Sequence, residues 1–391
     1  MSKKTVAVIF GGLSPEYDVS LKSSYSIISA IDRDKYDIIL LGITRQGGWY
    51  RYYGSVEGIP LDRWHIDESL LHSAIISPSR SGAATVSSGG CDAAASGGGD
   101  IEASGSGAAT SSSGDGDAAS SGGGGLIEFQ DGQAVFVHID AVFPVLHGRN
   151  GEDGTVQGLC ELAGIPVVGS GSAASALCMD KDRSHKLVSL VGIAVPDSVC
   201  FEYSPTDDEV VQAMKRLGLP LFVKPVKAGS SFGITMVEGE SQLLSAVRTA
   251  LEFDDAVILE EYIDGFETGC SVVGNGELIT GRVDEIELAH GFFDYEEKYT
   301  LKTSKIHMPA RIDDDMERRL QEAAKLIYRT LGCSGYARID IFLSSAGKIV
   351  FNEANTIPGF TSHSRFPNMM KGVGIEYPQL VEMLIELAVS G

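Results

Sequence analysis

Apolar positions along the chain alternate between two rhythms. Short runs such as VAVIF at 6–10, YDIILLGI at 36–43 and AVFPVL at 141–146 read as buried β-strands. Helical stripes separate or follow them, one near Ser20–Ile31 and one through Val156, Leu159, Cys160 and Ala163 that stops at Gly164. This punctuation predicts βαβ units, hence a parallel sheet with helices on its faces. PLFVKPV, GITMVE, a helix over Leu243–Leu251 and AVILEEYI continue the alternation through the middle of the chain. In the last third, Met316, Leu320, Ala323, Ile327 and Leu331 form a helical stripe closed by Gly332. YARIDIFL and KIVFNEAN, joined by SSAG, predict an antiparallel hairpin, and Leu380, Leu384 and Leu387 mark a final helix.

The rhythm collapses from Ser81 to Gly125, where Ser, Gly and Ala dominate and no aromatic, Lys or Arg occurs. Such a stretch cannot bury enough apolar surface to offset its ordering entropy, so a disordered insertion without catalytic role is expected. With 391 residues, 43% of them hydrophobic, the rest can fill two or three domains. A formal charge of −22 without a Lys/Arg block argues against nucleic acid or an anionic membrane as partner. The opening MSKKTVAVIFGG is too short in its apolar run for a signal or a membrane span, and it reads as a first strand. Six cysteines scattered without C-x-x-C pairs suit reduced thiols, and the expected location is cytoplasmic.

The hairpin concentrates the chemistry. A turn centred on Ser345 and Ala346 would set Arg338 opposite Glu353 and place Arg338, Asp340, Glu353 and Asn355 on one face, with Phe342, Ile349 and Phe351 at its inner end. Buried carboxylates need partners or a metal, and three oxygen ligands of this kind suit Mg2+; the alternative is an Arg-carboxylate ladder on a solvated face. In VKPVKAGSSFGI, Lys224 offers a point charge, while Gly229, Ser230, Ser231 and Gly233 offer N–H groups and hydroxyls for phosphate oxygens. No G-x-x-x-x-G-K-[ST] is present, and EEYI at 260–263 is a second strand ending that can hold adenine and ribose. FGGLSPEYDVS at 10–20 is either an ordinary α/β turn or, through Glu16, an ammonium site. In FPVLHGRNGEDGTVQG at 143–158, His147 reads as a loop residue or a ligand, and Glu152 and Asp153 as acids complementing a helix dipole.

Together these segments resemble the D-alanine–D-alanine ligase family of the ATP-grasp superfamily: FGGLSPEYDVSL, FPVLHGRNGEDGTVQG, MDK, KPVKAGSSFGI, EEYIDGFE, FDYEEKY, YARIDIF and NEANTIPGFTSHS occur in the family's order over all but the insertion. The resemblance implies an α/β chain with a Rossmann-like domain at 1–169, a central α+β subdomain at 170–262 and a C-terminal one at 263–391, with ATP gripped between the last two. It would place Lys181, Lys224 and Ser231 on ATP phosphates, Glu260, Glu261, Ile263 and Glu267 around adenine and ribose, and Asp340, Glu353 and Asn355 on two Mg2+ ions, Mn2+ being a substitute. Glu16 with Ser230 would hold the first amino acid's ammonium, His147 its carboxylate, and Ser364 the second carboxylate, while Arg338 and the Gly359 backbone would face the oxyanion. FFDYEEKYTLKTS resembles a closing loop that brings Lys298 to the phosphates and Tyr299 to the Glu16–Ser230 network. A homodimer is also implied.

Two positions depart from the housekeeping pattern. Phe293 stands where FYDY has tyrosine, and Arg365 stands where a leucine or methionine is usual; with Asp284 they resemble the D-alanine–D-serine ligases of vancomycin resistance. Losing a phenol and gaining a guanidinium is the change a pocket would need to take D-serine rather than D-alanine, since the two differ by one hydroxyl. As a surface residue, Arg365 would only answer the acidic body. The expected reaction is ATP-dependent ligation of D-alanine to D-serine through an acyl phosphate; D-Ala–D-Ala formation and a silent nucleotide-binding regulator are the alternatives.

Overall fold

The computed structural model describes residues 3–78, 124–130, 132–288 and 304–390. Within them, β1 (Lys4–Gly11), β2 (Tyr36–Ile43), β3 (Trp49–Tyr52), β4 (Leu71–Ser77), β5 (Gly125–Gln130), β6 (Gln133–His138) and β7 (Ala141–Pro144) form a sheet ordered β6-β5-β4-β3-β2-β1-β7. β1 runs parallel to β2 and β7, as the βαβ reading predicts, with α1 (Tyr17–Ala30) between β1 and β2. The other half is an antiparallel meander that the apolar pattern did not reveal, because its strands are short and several are half exposed.

Ser77 and Gly125 are ladder partners, so the long Ser/Gly/Ala segment joins neighbouring antiparallel strands, where added length raises closure entropy only slowly. Gly125, expected inside that segment, instead opens β5. A Cβ on Gly124 would lie 2.2 Å from the Ala163 carbonyl oxygen, and one on Gly125 2.3 Å from that of Val137, so glycine is what lets these backbones meet. Residues 79–123 lie outside the described residues.

Helices α2 (Thr155–Ala163), α3 (Ser172–Met179) and α4 (Lys181–Ser189) lead to a second sheet. It contains β8 (Ser198–Phe201), β9 (Leu221–Pro225), β10 (Thr235–Val237) and β11 (Val257–Glu261), ordered β10-β9-β11-β8 and backed by α5 (Asp207–Leu217) and α6 (Glu240–Leu251). The third sheet has β12 (Gly265–Val273), β13 (Ile279–Thr280), β14 (Asp284–Leu288), β15 (Ser304–His307), β16 (Tyr336–Ser344) and β17 (Ile349–Asn355), with β15-β14-β12-β16-β17 as its path. On one face lies α7 (Asp314–Thr330), whose N-cap Asp313 accepts from Met316 N and whose Leu320, Ala324 and Ile327 enter the core. α8 (Arg365–Lys371) and α9 (Tyr377–Val389) close the chain, and α9 returns to the first sheet, packing Leu380, Leu384 and Ile385 with Val6, Val8 and Leu21.

The hairpin forms, but its register differs from the expected one by two residues. Ser344 N bonds to Lys348 O at 3.0 Å, leaving a three-residue turn whose Gly347 has φ +75°. Asn352 is then an extra residue, a bulge, so Asp340 faces Glu353 and Arg338 faces Asn355. Two one-residue offsets add to an even number, so the four polar side chains keep their common face. Phe351 and Ile349 do not. Beyond the bulge they turn to the opposite side, where Phe351 is fully buried with Ile339 and Ile341, and only Phe342 stays with the polar face. Phe351→Ala should therefore cost about 3–5 kcal/mol in denaturant unfolding and Phe342→Ala clearly less; equal losses would contradict this arrangement.

Candidate active site

Adjacent strands align acids in a row. Asp284 pairs with Gly269, Gly269 with Asp340, and Asp340 with Glu353, so three carboxylates and one bare glycine cross β14, β12, β16 and β17 on one sheet face. Asp284 and Asp340 are buried. Such crowding requires cations. Arg338 forks onto Asp340 through Nε and Nη2 at 2.8 Å each, and Asn355 Nδ2 donates to the same carboxylate at 2.9 Å. Arg365 is no surface residue: its side chain is 9% exposed and forks onto Asp284 with two bonds of 2.8 Å, while Nη1 reaches Glu267 at 3.2 Å and Asp340 at 3.6 Å. Burial alone would lower both guanidinium pKa values, but the surrounding carboxylates raise them, most strongly for Arg365.

Between this sheet and β9–β11 lies a cavity of about 420 Å³ lined by Lys181, Lys224, Ser231, Glu260, Glu261, Ile263, Glu267, Phe342 and Glu353, among others. Lys224 Nζ meets Glu260 Oε2 at 2.5 Å, so Glu260 stays below its ordinary pKa although burial pushes the other way. Its second oxygen, Oε1, is buried without a hydrogen-bond partner, an acceptor awaiting a donor. Lys181 donates to Ala228 O at 2.8 Å and lies 3.8 Å from Glu353, and Glu261 accepts from Asp197 N at 2.9 Å. His185, which sequence reasoning did not single out, joins its ring nitrogen Nε2 to Asn352 O at 2.6 Å and packs edge-on to Phe351, pinning the bulge that turns Glu353 to the cavity.

The other end of the site is built from loops. Ser230 and Ser231 both adopt left-handed φ values, 49° and 59°, a strained geometry that persists where the surroundings impose it. A Cβ on the preceding Gly229 would come 3.2 Å from Glu16 Oε1, and one on Gly148 2.6 Å from Glu16 Oε2, so three loops converge on one buried carboxylate. His147 donates from Nδ1 to Ile357 O at 3.0 Å, leaving Nε2 buried and unpaired. Burial, with Arg338 nearby, lowers its pKa to about 4, against the bond to Ile357. Gly359 lies beside Ser364, whose hydroxyl accepts from Thr361 N at 3.0 Å and pairs with the Thr361 hydroxyl. Phe293, Lys298 and Tyr299 lie outside the described residues.

A family model described as D-ala D-ala ligase N-terminus matches residues 5–170, and one described as D-ala D-ala ligase C-terminus matches residues 187–386. The chain belongs to the D-Ala–D-Ala ligase family. It is 40% identical to vancomycin C-type resistance protein VanC1 of Enterococcus gallinarum over 98% of both chains. It is 36% identical to a D-alanine–D-alanine ligase of Caldicellulosiruptor bescii, over all of this chain and 96% of that one. The crystal structure of VanG D-Ala:D-Ser ligase from Enterococcus faecalis matches with a TM-score of 0.82 and 50% identity, covering 99% of this chain and all of that one. The mixed α/β architecture is thus the expected ATP-grasp fold.

D-Ala–D-Ala ligases are ATP-dependent, and the cavity suits a nucleotide: Lys181 and Lys224 offer positive charge, Glu260 beside Lys224 keeps a buried acceptor, and Phe342 and Ile263 add apolar lining. Among the described residues no group of three His, Cys, Asp or Glu is assembled for a metal. Asp340, Glu353 and Asn355 fit Mg2+ nonetheless, because that ion takes few protein oxygens and keeps phosphate and water ligands. Among the described residues, no helix is long and apolar enough to cross a membrane. Among the described residues Cys160, Cys178, Cys200, Cys270 and Cys333 are free thiols, and Cys91 lies outside them.

Glu152 corrects its sequence reading in this ligase. Asp153 serves the start of α2, accepting from Thr155 N at 3.1 Å, whereas Glu152 turns inward and accepts from Gly148 N at 2.7 Å. Burial, helped by Glu16 and Glu353, lifts its pKa from 4.5 to about 8 despite that bond. The folded chain therefore keeps a proton that the unfolded chain releases, and stability is lost as pH rises from about 4.5 to about 8. Glu152→Gln should flatten unfolding free energy against pH across that window; slopes identical to the parent's would contradict the assignment.

Proposed function

We propose that this chain is an ATP- and Mg2+-dependent ligase joining D-alanine to D-serine through a D-alanyl phosphate, for peptidoglycan precursors and vancomycin resistance. The observation that carries the reading is Arg365, buried with Asp284 on the face shared by Asp340 and Glu353. The 50% identity to VanG D-Ala:D-Ser ligase supports it.

A carboxylate resists amine attack until one of its oxygens becomes a leaving group, which is what transfer of the ATP phosphoryl group achieves. Lys181, Lys224 and Ser231 hold the phosphates, with Lys298 from the closing loop; Glu260, Glu261, Ile263 and Glu267 hold adenine and ribose. Asp340, Glu353 and Asn355 hold the metal, which supplies charge neutralisation at the phosphates when bound. Glu16, Ser230 and Tyr299 receive the first substrate's ammonium. His147 is neutral with its Nδ1 proton committed to Ile357, so pairing Nε2 with a carboxylate takes up a proton. Arg338 commits Nε and one Nη2 hydrogen to Asp340; its remaining guanidinium N–H groups are the donors for the tetrahedral oxyanion, with Gly359 N–H, a contribution of about 3 kcal/mol for one well-placed donor. Ser364 takes the second carboxylate.

Because Arg365 and Asp284 satisfy each other, D-alanine strands no buried charge, and D-serine is preferred rather than exclusively accepted. ADP release with D-alanine plus D-serine should exceed release with D-alanine alone, and Phe293→Tyr with Arg365→Leu should reverse the preference. Equal yields of both dipeptides, unmoved by the double change, would favour the D-Ala–D-Ala reading. ATP binding without phosphate release under any D-amino acid would favour a silent regulator.

A further inference from the structure

Gly269 lies mid-strand with no turn to make, yet it is the one position in the acidic row without a side chain. Its N–H donates to Asp284 Oδ1 at 2.9 Å. A Cβ there would fall 2.4 Å from Arg365 Nη2, 2.8 Å from Asp284 Oδ1 and 2.9 Å from Met369 Cε. All three are closer than real Cβ contacts, and the nearest belongs to the guanidinium, which lies across the bare backbone between Asp284 and Asp340. Glycine costs stability in a strand interior and often marks close approach of another group. Here that group is Arg365.

We propose that Gly269 is a specificity-determining residue for the acceptor amino acid, acting by leaving the bed in which Arg365 lies flat and bonded to Asp284. The inference rests on the reading of Arg365 as the side chain that selects a hydroxyl-bearing acceptor. A methyl group at 269 would lift the fork off Asp284, and the polar group the acceptor's hydroxyl meets would be misplaced while lysines, metal ligands and oxyanion donor stay where they are.

The test is a cycle on the whole enzyme at saturating ATP, reading the ratio of kcat/KM for D-serine over D-alanine, so that any general loss of activity cancels. Gly269→Ala is expected to lower the ratio roughly tenfold or more. In an Arg365→Leu background, where no fork can collide, the same change should leave the ratio as Arg365→Leu alone sets it. If Arg365→Leu does not move the ratio, the reading of Arg365 fails and takes this inference with it. If Arg365→Leu moves it and Gly269→Ala does not, or if the two effects simply add, the assignment of Gly269 alone is overturned. Should Gly269→Ala not fold, the double variant, relieved of the nearest of the three collisions, is expected to be the more stable of the two in denaturant unfolding; equal instability of both would overturn the assignment as well.

Discussion

Carboxylates lined up across one sheet face, one or two strand spacings apart and partly sealed from water, are tolerable only with positive charge interleaved. Asp284, Asp340 and Glu353 make such a line, with Glu267 beside it, and the chain supplies Arg365, Arg338 and Lys181. Much of the local architecture serves this balance. The Asn352 bulge, held by His185, lets Glu353 face the cavity while Phe351 anchors the strand in the core. Gly269 leaves room for a guanidinium where a side chain would stand, and the start of α8 delivers it. The Glu353 end of the line opens on the cavity, where Lys181 stands beside it and a divalent cation is the counterpart a carboxylate suits.

The strand-and-helix rhythm of the core was legible because buried segments carry uninterrupted apolar runs or clean helical stripes. α7 is an example, its five-residue stripe and closing Gly332 matching the observed helix. The meander of β3 to β6 was not, since half-exposed edge strands mix polar and apolar residues. Period-two reasoning placed Arg338, Asp340, Glu353 and Asn355 together correctly, yet a longer turn and a bulge shifted the register and sent Phe351 the other way. Neither leaves a mark in a single sequence beyond Gly347.

Charge state was the least legible property. Arg365 reads as a pocket residue or a surface one until the fold shows what lies beneath it. Glu152 reads as a helix-dipole acid because Asp153 beside it is one, and only its burial in the fold, with Glu16 and Glu353 adding to it, raises its pKa. The strained Ser230–Ser231 pair, Gly229 and Gly148 belong to the same assembly of loops around Glu16, where side-chain size is limited by a carboxylate rather than by an apolar core.

The most direct test of this account is a crystal structure with Mg2+ and a non-hydrolysable ATP analogue. Metal density ligated by Glu353, Asp340 and Asn355, with the phosphates beside Lys181 and Lys224, is the predicted result. Phosphates bound elsewhere, with those three side chains still bonded only to protein, would contradict it.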